Sequence, residues 1–298
     1  ETNDKQIIEH TLSTAFDLDT VQNDCTQTRY DITSFTGVSA HNEIHNIFFE
    51  QDGTRLFVTT KLSEVLSFTL TTAFDISTAG SHVELDLTTD LSAVAFNNDG
   101  TKLYQLIPTS NSPQVKTFTM STAYDIANAS LSHTLDLSDS ELATLNSNNK
   151  YAEDIHFNNS GTAMFILMED RTTRSESYIY QFRLNTAFDV STAELRGKWN
   201  VVMPFTSTGY GLPKGFDFSD DGMKLFLVNR QSGTGVDRMF SFQLECPFGL
   251  YECSDDATSN IGAQVELAKQ NIRNNTSIIF KRFEWIKRNK SDHNLNSH

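Results

Sequence analysis

The chain has 298 residues and carries 23 Lys+Arg against 38 Asp+Glu, a formal net charge of −15. That length accommodates one large all-β domain with an appendage, or two ordinary domains, and a surface this acidic repels nucleic acid and anionic membrane, so nucleic-acid binding is excluded. The charge is uneven: residues 259–298 hold seven basic residues against Glu266, Glu284 and Asp292, a net of +4, which leaves −19 for residues 1–258.

In chain order, the N-terminal ETNDKQIIEH has neither the basic stretch nor the apolar stretch of a signal peptide. That leaves a cytosolic chain or one whose leader was removed ahead of Glu1. Residues 7–20, IIEHTLSTAFDLDT, alternate in polarity and end in an aromatic loop, and a further strand is expected around Arg29–Phe35. Then comes FFEQDGTRLFV (48–58), which reads as a hairpin around a two-residue Asp-Gly turn. It is followed by VLSFTLTTAFDIST (65–78), a period-2 strand with an aromatic loop, and by an outer strand, HVELDL (82–87).

The same succession returns. Hairpins recur at AFNNDGTKLYQ (95–105), HFNNSGTAMFI (156–166) and DFSDDGMKLFL (217–227), and aromatic-loop strands at VKTFTMSTAYDIAN (115–128), IYQFRLNTAFDVST (179–192) and the degenerate MFSFQLECPFGL (239–250). Outer strands recur at LSHTLDL (131–137) and LRGKWNV (195–201). The unit is therefore strands a and b, strand c, an aromatic loop and strand d, with equivalent positions 47 to 64 residues apart. That spacing and strand count are those of a propeller blade, a meandering sandwich being the other architecture they allow. Asp52, Asp99 and Asp221 are read as turn formers, and Phe16, Phe74, Tyr124, Phe188 and Phe248 are expected to plug apolar gaps between neighbouring units. Four hairpins serve five c strands. Either the N-terminal d strand completes the last blade and leaves residues 7–12 spare, or both ends stay incomplete and invite pairing with another copy.

After SDDATS (254–259) the period changes. Ile261, Val265, Ala268, Ile272, Ile279, Phe283 and Ile286 follow 3–4 spacing behind a Ser259 N-cap, which predicts an amphipathic helix of about 30 residues available for packing or assembly. Cys246 and Cys253 lack metal-site spacing and read as a disulfide pair, with Cys25–Cys246 the alternative pairing.

No G-x-S-x-G, H-E-x-x-H or G-K-[ST] motif is present, so no catalytic, metal-binding or cofactor-binding residue is assigned. Glu153, Asp154 and His156 form the densest acid/imidazole cluster. Eight residues before each turn glycine stand His45, Ser92, Glu153 and Lys214, chemically unlike one another among uniform apolar neighbours. With Asp154 and His156 they are the candidates for a ligand-facing channel mouth.

The FxxDGTxLFV hairpins with STAFDIST loops resemble the repeat propellers of secreted surface proteins from marine bacteria. The ending from Cys246 through Lys290 looks like the linker and helix that precede an outer-membrane barrel in such proteins. This resemblance implies a location outside the cell or on the bacterial surface. The expectation is thus an all-β fold, a small β-propeller of about four blades of four strands over residues 1–250, with a linker and long C-terminal amphipathic α-helix over 251–298. The expected function is a non-catalytic, self-associating structural or adhesive module, whose partners are further copies of itself and surface glycan. The alternatives are a monomeric glycan-binding passenger of an outer-membrane-anchored protein and a propeller enzyme of lactonase or lyase type.

Overall fold

The computed structural model describes residues 6–9, 28–31, 44–50, 52–60, 63–87, 89–109, 113–137, 150–170, 177–201, 212–230 and 238–251, with Ser13, Thr14, Asp17 and Thr20. The chain is all-β and forms a four-bladed β-propeller. Blade 1 is β3 (Ile44–Phe49), β4 (Arg55–Thr60), β5 (Glu64–Leu70) and β6 (Ala79–Asp86). Blade 2 is β7 (Ala93–Phe96), β8 (Lys102–Ile107), β9 (Gln114–Thr119) and β10 (Ser130–Asp136). Blade 3 is β11 (Lys150–Phe157), β12 (Ala163–Asp170), β13 (Tyr178–Leu184) and β14 (Ala193–Asn200). Blade 4 has three strands, β15 (Leu212–Phe218), β16 (Lys224–Arg230) and β17 (Arg238–Gln243), and β1 (Gln6–Glu9) pairs with β2 (Thr28–Asp31) as a separate two-stranded sheet. Every ladder is antiparallel between chain neighbours.

Because successive side chains point to opposite faces, each central strand serves two blade interfaces at once. In β8, Leu103 packs back on Phe57 and Val65 of blade 1, while Tyr104 and Leu106 pack forward on Ile155, Met164 and Ile166 of blade 3. In β12, Phe165 and Leu167 meet Phe216, Phe218, Leu225 and Leu227 of blade 4. Blade 1 turns Leu56, Val58, Leu66 and Phe68 back toward Ile7 and Tyr30 of the β1–β2 sheet. Each of these fully buried side chains contributes roughly 1.5–3 kcal/mol, so the stack is held mainly by its seams. Pairing of β1 with β2 rules out the alternative in which the N-terminal d strand completes blade 4. Ile7 and Tyr30 find their apolar partners on blade 1, so the pair lies in front of that blade as the outer half of another.

The turns differ from the expected two-residue form. Asn97 N–H donates to the Lys102 carbonyl and Gly100 N–H to the Asn97 carbonyl, closing a four-residue loop. Gly161 and Gly222 make the same bonds. A two-residue type I′ turn needs positive φ at both central residues, whereas only the glycines take it here, at +67° to +71°. Asp52 and Asp99 instead accept hydrogen bonds from the Thr54 and Thr101 backbone N–H groups at 2.8 and 3.0 Å. This is the Asx turn that makes Asp a turn former.

The loop aromatics Tyr124, Phe188 and Phe248 pack at the seam with the preceding blade, as expected, and also make a contact within their own blade. Phe74, Tyr124, Phe188 and Phe248 lie over the turn glycine of their own blade, and each donates its N–H to that glycine's carbonyl at 2.8 Å. Phe16 lies outside the described residues, as does the whole predicted C-terminal helix with Ile261, Val265, Ile272, Ile279, Phe283 and Ile286. Cys246 is disulfide-bonded, and Cys25 and Cys253, the two partners weighed for it, are outside the described residues.

Candidate functional site

A β-bulge recurs in three of the inner strands. The register slips at His45 in β3, at Glu153 in β11 and at Lys214 in β15. These are three of the four positions eight residues before the turn glycine, and the fourth, Ser92, lies just ahead of β7. An extra residue in one strand turns its side chain out of the regular alternation, which here carries it to a neighbouring blade. His45 Nδ1–H donates to the Leu91 carbonyl at 3.1 Å, Ser92 Oγ–H to the Ala152 carbonyl at 2.5 Å, and Lys214 Nζ to Glu153 Oε1 at 3.0 Å. The chemical variety at this position thus matches a variety of partners, each tying blade n to blade n+1.

Asp154 is the centre of the cluster. It is 3% exposed, and Oδ1 accepts from its neighbour's Ile155 N–H at 2.9 Å while Oδ2 accepts from Phe216 N–H of blade 4 at 2.9 Å. Asn46 of blade 1 approaches Oδ1 at 3.4 Å. Gly215 leaves room beside the carboxylate, since a Cβ there would come to 3.4 Å from Oδ2. His156 sits between two acids, with Nε2 at 3.6 Å from Asp154 Oδ2 and Nδ1 at 3.4 Å from Asp217 Oδ1, and its ring lies 4.7 Å from that of Phe216. Lys214 also donates to Glu169, which is fully buried.

The six candidates therefore fall into one region. His45 and Ser92 serve the first two seams, and Glu153, Asp154, His156 and Lys214 gather at the third. Asp217, Glu169 and Asn46 join them without having been singled out from sequence. Asp217 had a readable signal, because the repeat position that holds Phe48 and Ala95 in blades 1 and 2 holds His156 in blade 3 and Asp217 in blade 4. Among the described residues no group of three or more His, Cys, Asp or Glu side chains is placed to hold a metal ion.

Burial alone would favour the neutral His156 ring, but the Asp154 and Asp217 carboxylates outweigh it and raise its pKa from 6.5 to about 9. A group whose pKa is higher folded than unfolded stabilises the fold fully below the unfolded value and loses that contribution as pH rises through the folded one. The stability of the wild type is therefore expected to fall between pH 6.5 and 9.5 by on the order of 2–3 kcal/mol from this group. Urea unfolding across that window checks it: His156→Gln should flatten the curve, and equal slopes in both proteins would refute the assignment.

No family model matches the chain, and no curated protein matches it. Solved structures do. The periplasmic gluconolactonase of Pseudomonas aeruginosa is 16% identical with a TM-score of 0.38, the alignment covering 67% of this chain and 54% of that one, so the chain spans a little over half that protein's length. A β-propeller domain from Myceliophteria thermophila is 11% identical with a TM-score of 0.39, covering 74% and 61%. A structure of the nidogen/laminin complex is 12% identical with a TM-score of 0.47, covering 81% and 72%. At these levels the fold rests on the chain's own sheets, which define a four-bladed β-propeller.

Proposed function

We propose that this chain is a non-catalytic β-propeller module that works by associating with further copies of itself, outside the cell or on a bacterial surface, in a structural or adhesive role. The observation that carries the reading is that, among the described residues, the two end sheets have fewer strands than the four-stranded blades between them: two at the N-terminal side and three at the C-terminal side. Sheet edges and uncovered apolar faces drive association unless they are blocked. The polar groups around the inner strands support the non-catalytic part, because His45, Ser92, Asp154 and Lys214 are engaged in blade-to-blade hydrogen bonds. A disulfide at Cys246 fits an oxidising compartment. In this reading the amphipathic segment from Ser259 forms a helix that adds a second contact between copies, and surface glycan is the further ligand an adhesive role would use.

Light scattering coupled to size exclusion, with negative-stain microscopy of the full chain over a hundredfold range of concentration, tests the reading. Species larger than one chain that grow with concentration are expected. A strictly monomeric protein throughout would overturn it.

A further inference from the structure

The three internal blade seams repeat one set of contacts, and the molecule exposes both halves of a fourth. On the forward side of each blade, strand b presents two residues and strand c one: Phe57, Thr59 and Val65 in blade 1, Tyr104, Leu106 and Val115 in blade 2, Phe165, Leu167 and Ile179 in blade 3. All nine are 0% exposed. The matching residues of blade 4 are Phe226, Val228 and Met239, cross-strand aligned in the same way. There Phe226 is half-buried, Val228 is 37% exposed and Met239 is 55% exposed.

The backward side shows the converse at the other end. Val94, Ile155 and Phe216, on the inner strands of blades 2 to 4, are at most 4% exposed, whereas Ile47 at the same place in blade 1 is 44% exposed. The loop aromatic follows suit: Tyr124 is buried against Phe57 of the blade before it, while Phe74 of blade 1 is 56% exposed. The cause is visible in the topology. Among the described residues the sheet in front of blade 1 consists of β1 and β2, a c and a d strand, whereas blades 2 to 4 are each backed by a sheet that includes a and b strands.

From this we infer that a second copy of the chain covers the gap, with the β15–β17 blade of one copy seated on the Ile47 and Phe74 face of the next. This rests on the self-association proposed above and names its surfaces. The fit extends to polar detail. Across the first two internal seams, strand b reaches the carbonyl of the next blade's loop aromatic: Arg55 Nη1 donates to the Tyr124 carbonyl at 3.4 Å, and Lys102 Nζ and the Tyr104 hydroxyl donate to the Phe188 carbonyl at 3.0 and 2.6 Å. Lys224 and Phe226 stand at those two repeat positions in blade 4, so the repeat pattern continues into the seated blade. The contact joins two different patches, one from each end of the molecule. Such a heterologous interface propagates into a ring or an open filament.

The test uses the full chain, with far-UV circular dichroism confirming each variant's fold. Val228→Glu blocks one patch and Ile47→Glu the other, and Met239→Glu, on the outer strand, is a second variant of the first patch. Each variant alone is expected to raise the concentration needed for polymers at least tenfold. An equimolar mixture of a blade 4 variant with Ile47→Glu is expected to give a species of twice the monomer mass, because each partner keeps one intact patch. Wild-type polymers that all three variants leave unchanged would overturn these surfaces while self-association stands. Single variants that still form closed dimers would show a symmetric contact and overturn the head-to-tail arrangement. A monomeric wild type would remove both the surfaces and the reading beneath them.

Discussion

Asp154→Ala is expected to destabilise the fold by about 3–5 kcal/mol, the range for removing one partner of a buried ionic contact. Two losses add up. The Phe216 N–H, which donates to Asp154 Oδ2 at 2.9 Å, becomes a buried donor without an acceptor, at a cost of about 1–3 kcal/mol. His156 also loses the more buried of its two carboxylates in a half-buried setting. Asp154→Asn separates these effects, because the side-chain oxygen can still accept from Phe216 while the charge is gone. The Asn variant should therefore fall between wild type and Ala in urea unfolding, and the His156 pKa, followed by NMR, should drop from about 9 toward its ordinary 6.5. An Ala variant within about 0.5 kcal/mol of wild type, the range of an ordinary surface substitution, would show that Asp154 does not hold blades 3 and 4 together.

The residues that made the blades legible are those with a strict local requirement. A glycine at positive φ, an aromatic at fixed repeat position and period-2 strands are each set within a few residues of sequence, so the hairpins at 48–58, 95–105, 156–166 and 217–227 could be read directly. What could not be read is pairing. The bulges at His45, Glu153 and Lys214 are properties of two strands in register, and a single strand's sequence shows only that something unusual stands there. Variety at those positions was visible and suggested freedom to bind a ligand, whereas the side chains cross to the neighbouring blade. The same limit applied to the ends. Counting strands exposed the excess c strand, but only the pairing of Ile7 with Tyr30 shows that β1 and β2 belong together in front of blade 1. Two exposed residues, Ile47 and Val228, then mean something because their repeat equivalents are buried. Repetition serves as an internal control that composition cannot supply.

The turn glycines carry a second requirement besides their backbone angle, and it predicts a coupling. At Gly161 a Cβ would come to 2.2 Å from a Phe188 ring carbon, closer than any real contact. Gly161 also has φ +70°, where an L side chain costs about 1–2 kcal/mol. Gly161→Ala is therefore expected to lose about 2–5 kcal/mol, the backbone cost plus about 1–3 kcal/mol for forcing the ring aside. Phe188 is itself strained at φ +57°, and it holds that conformation through its N–H bond to the Gly161 carbonyl and the ring's seat on the glycine. Phe188→Gly removes the ring and the strain together, so its loss should be smaller than the roughly 3–5 kcal/mol typical of truncating a well-buried Phe. In the double variant nothing remains for the new Cβ to strike, and only the backbone cost at position 161 should be added to the Phe188→Gly loss. The double variant is thus expected to be about 1–3 kcal/mol more stable than the sum of the singles, a coupling well above the roughly 0.3–0.5 kcal/mol scatter of independent sites. Strict additivity in urea unfolding would mean that backbone angle alone fixes glycine at this position. The pairing of glycine and aromatic in every blade would then need a different cause.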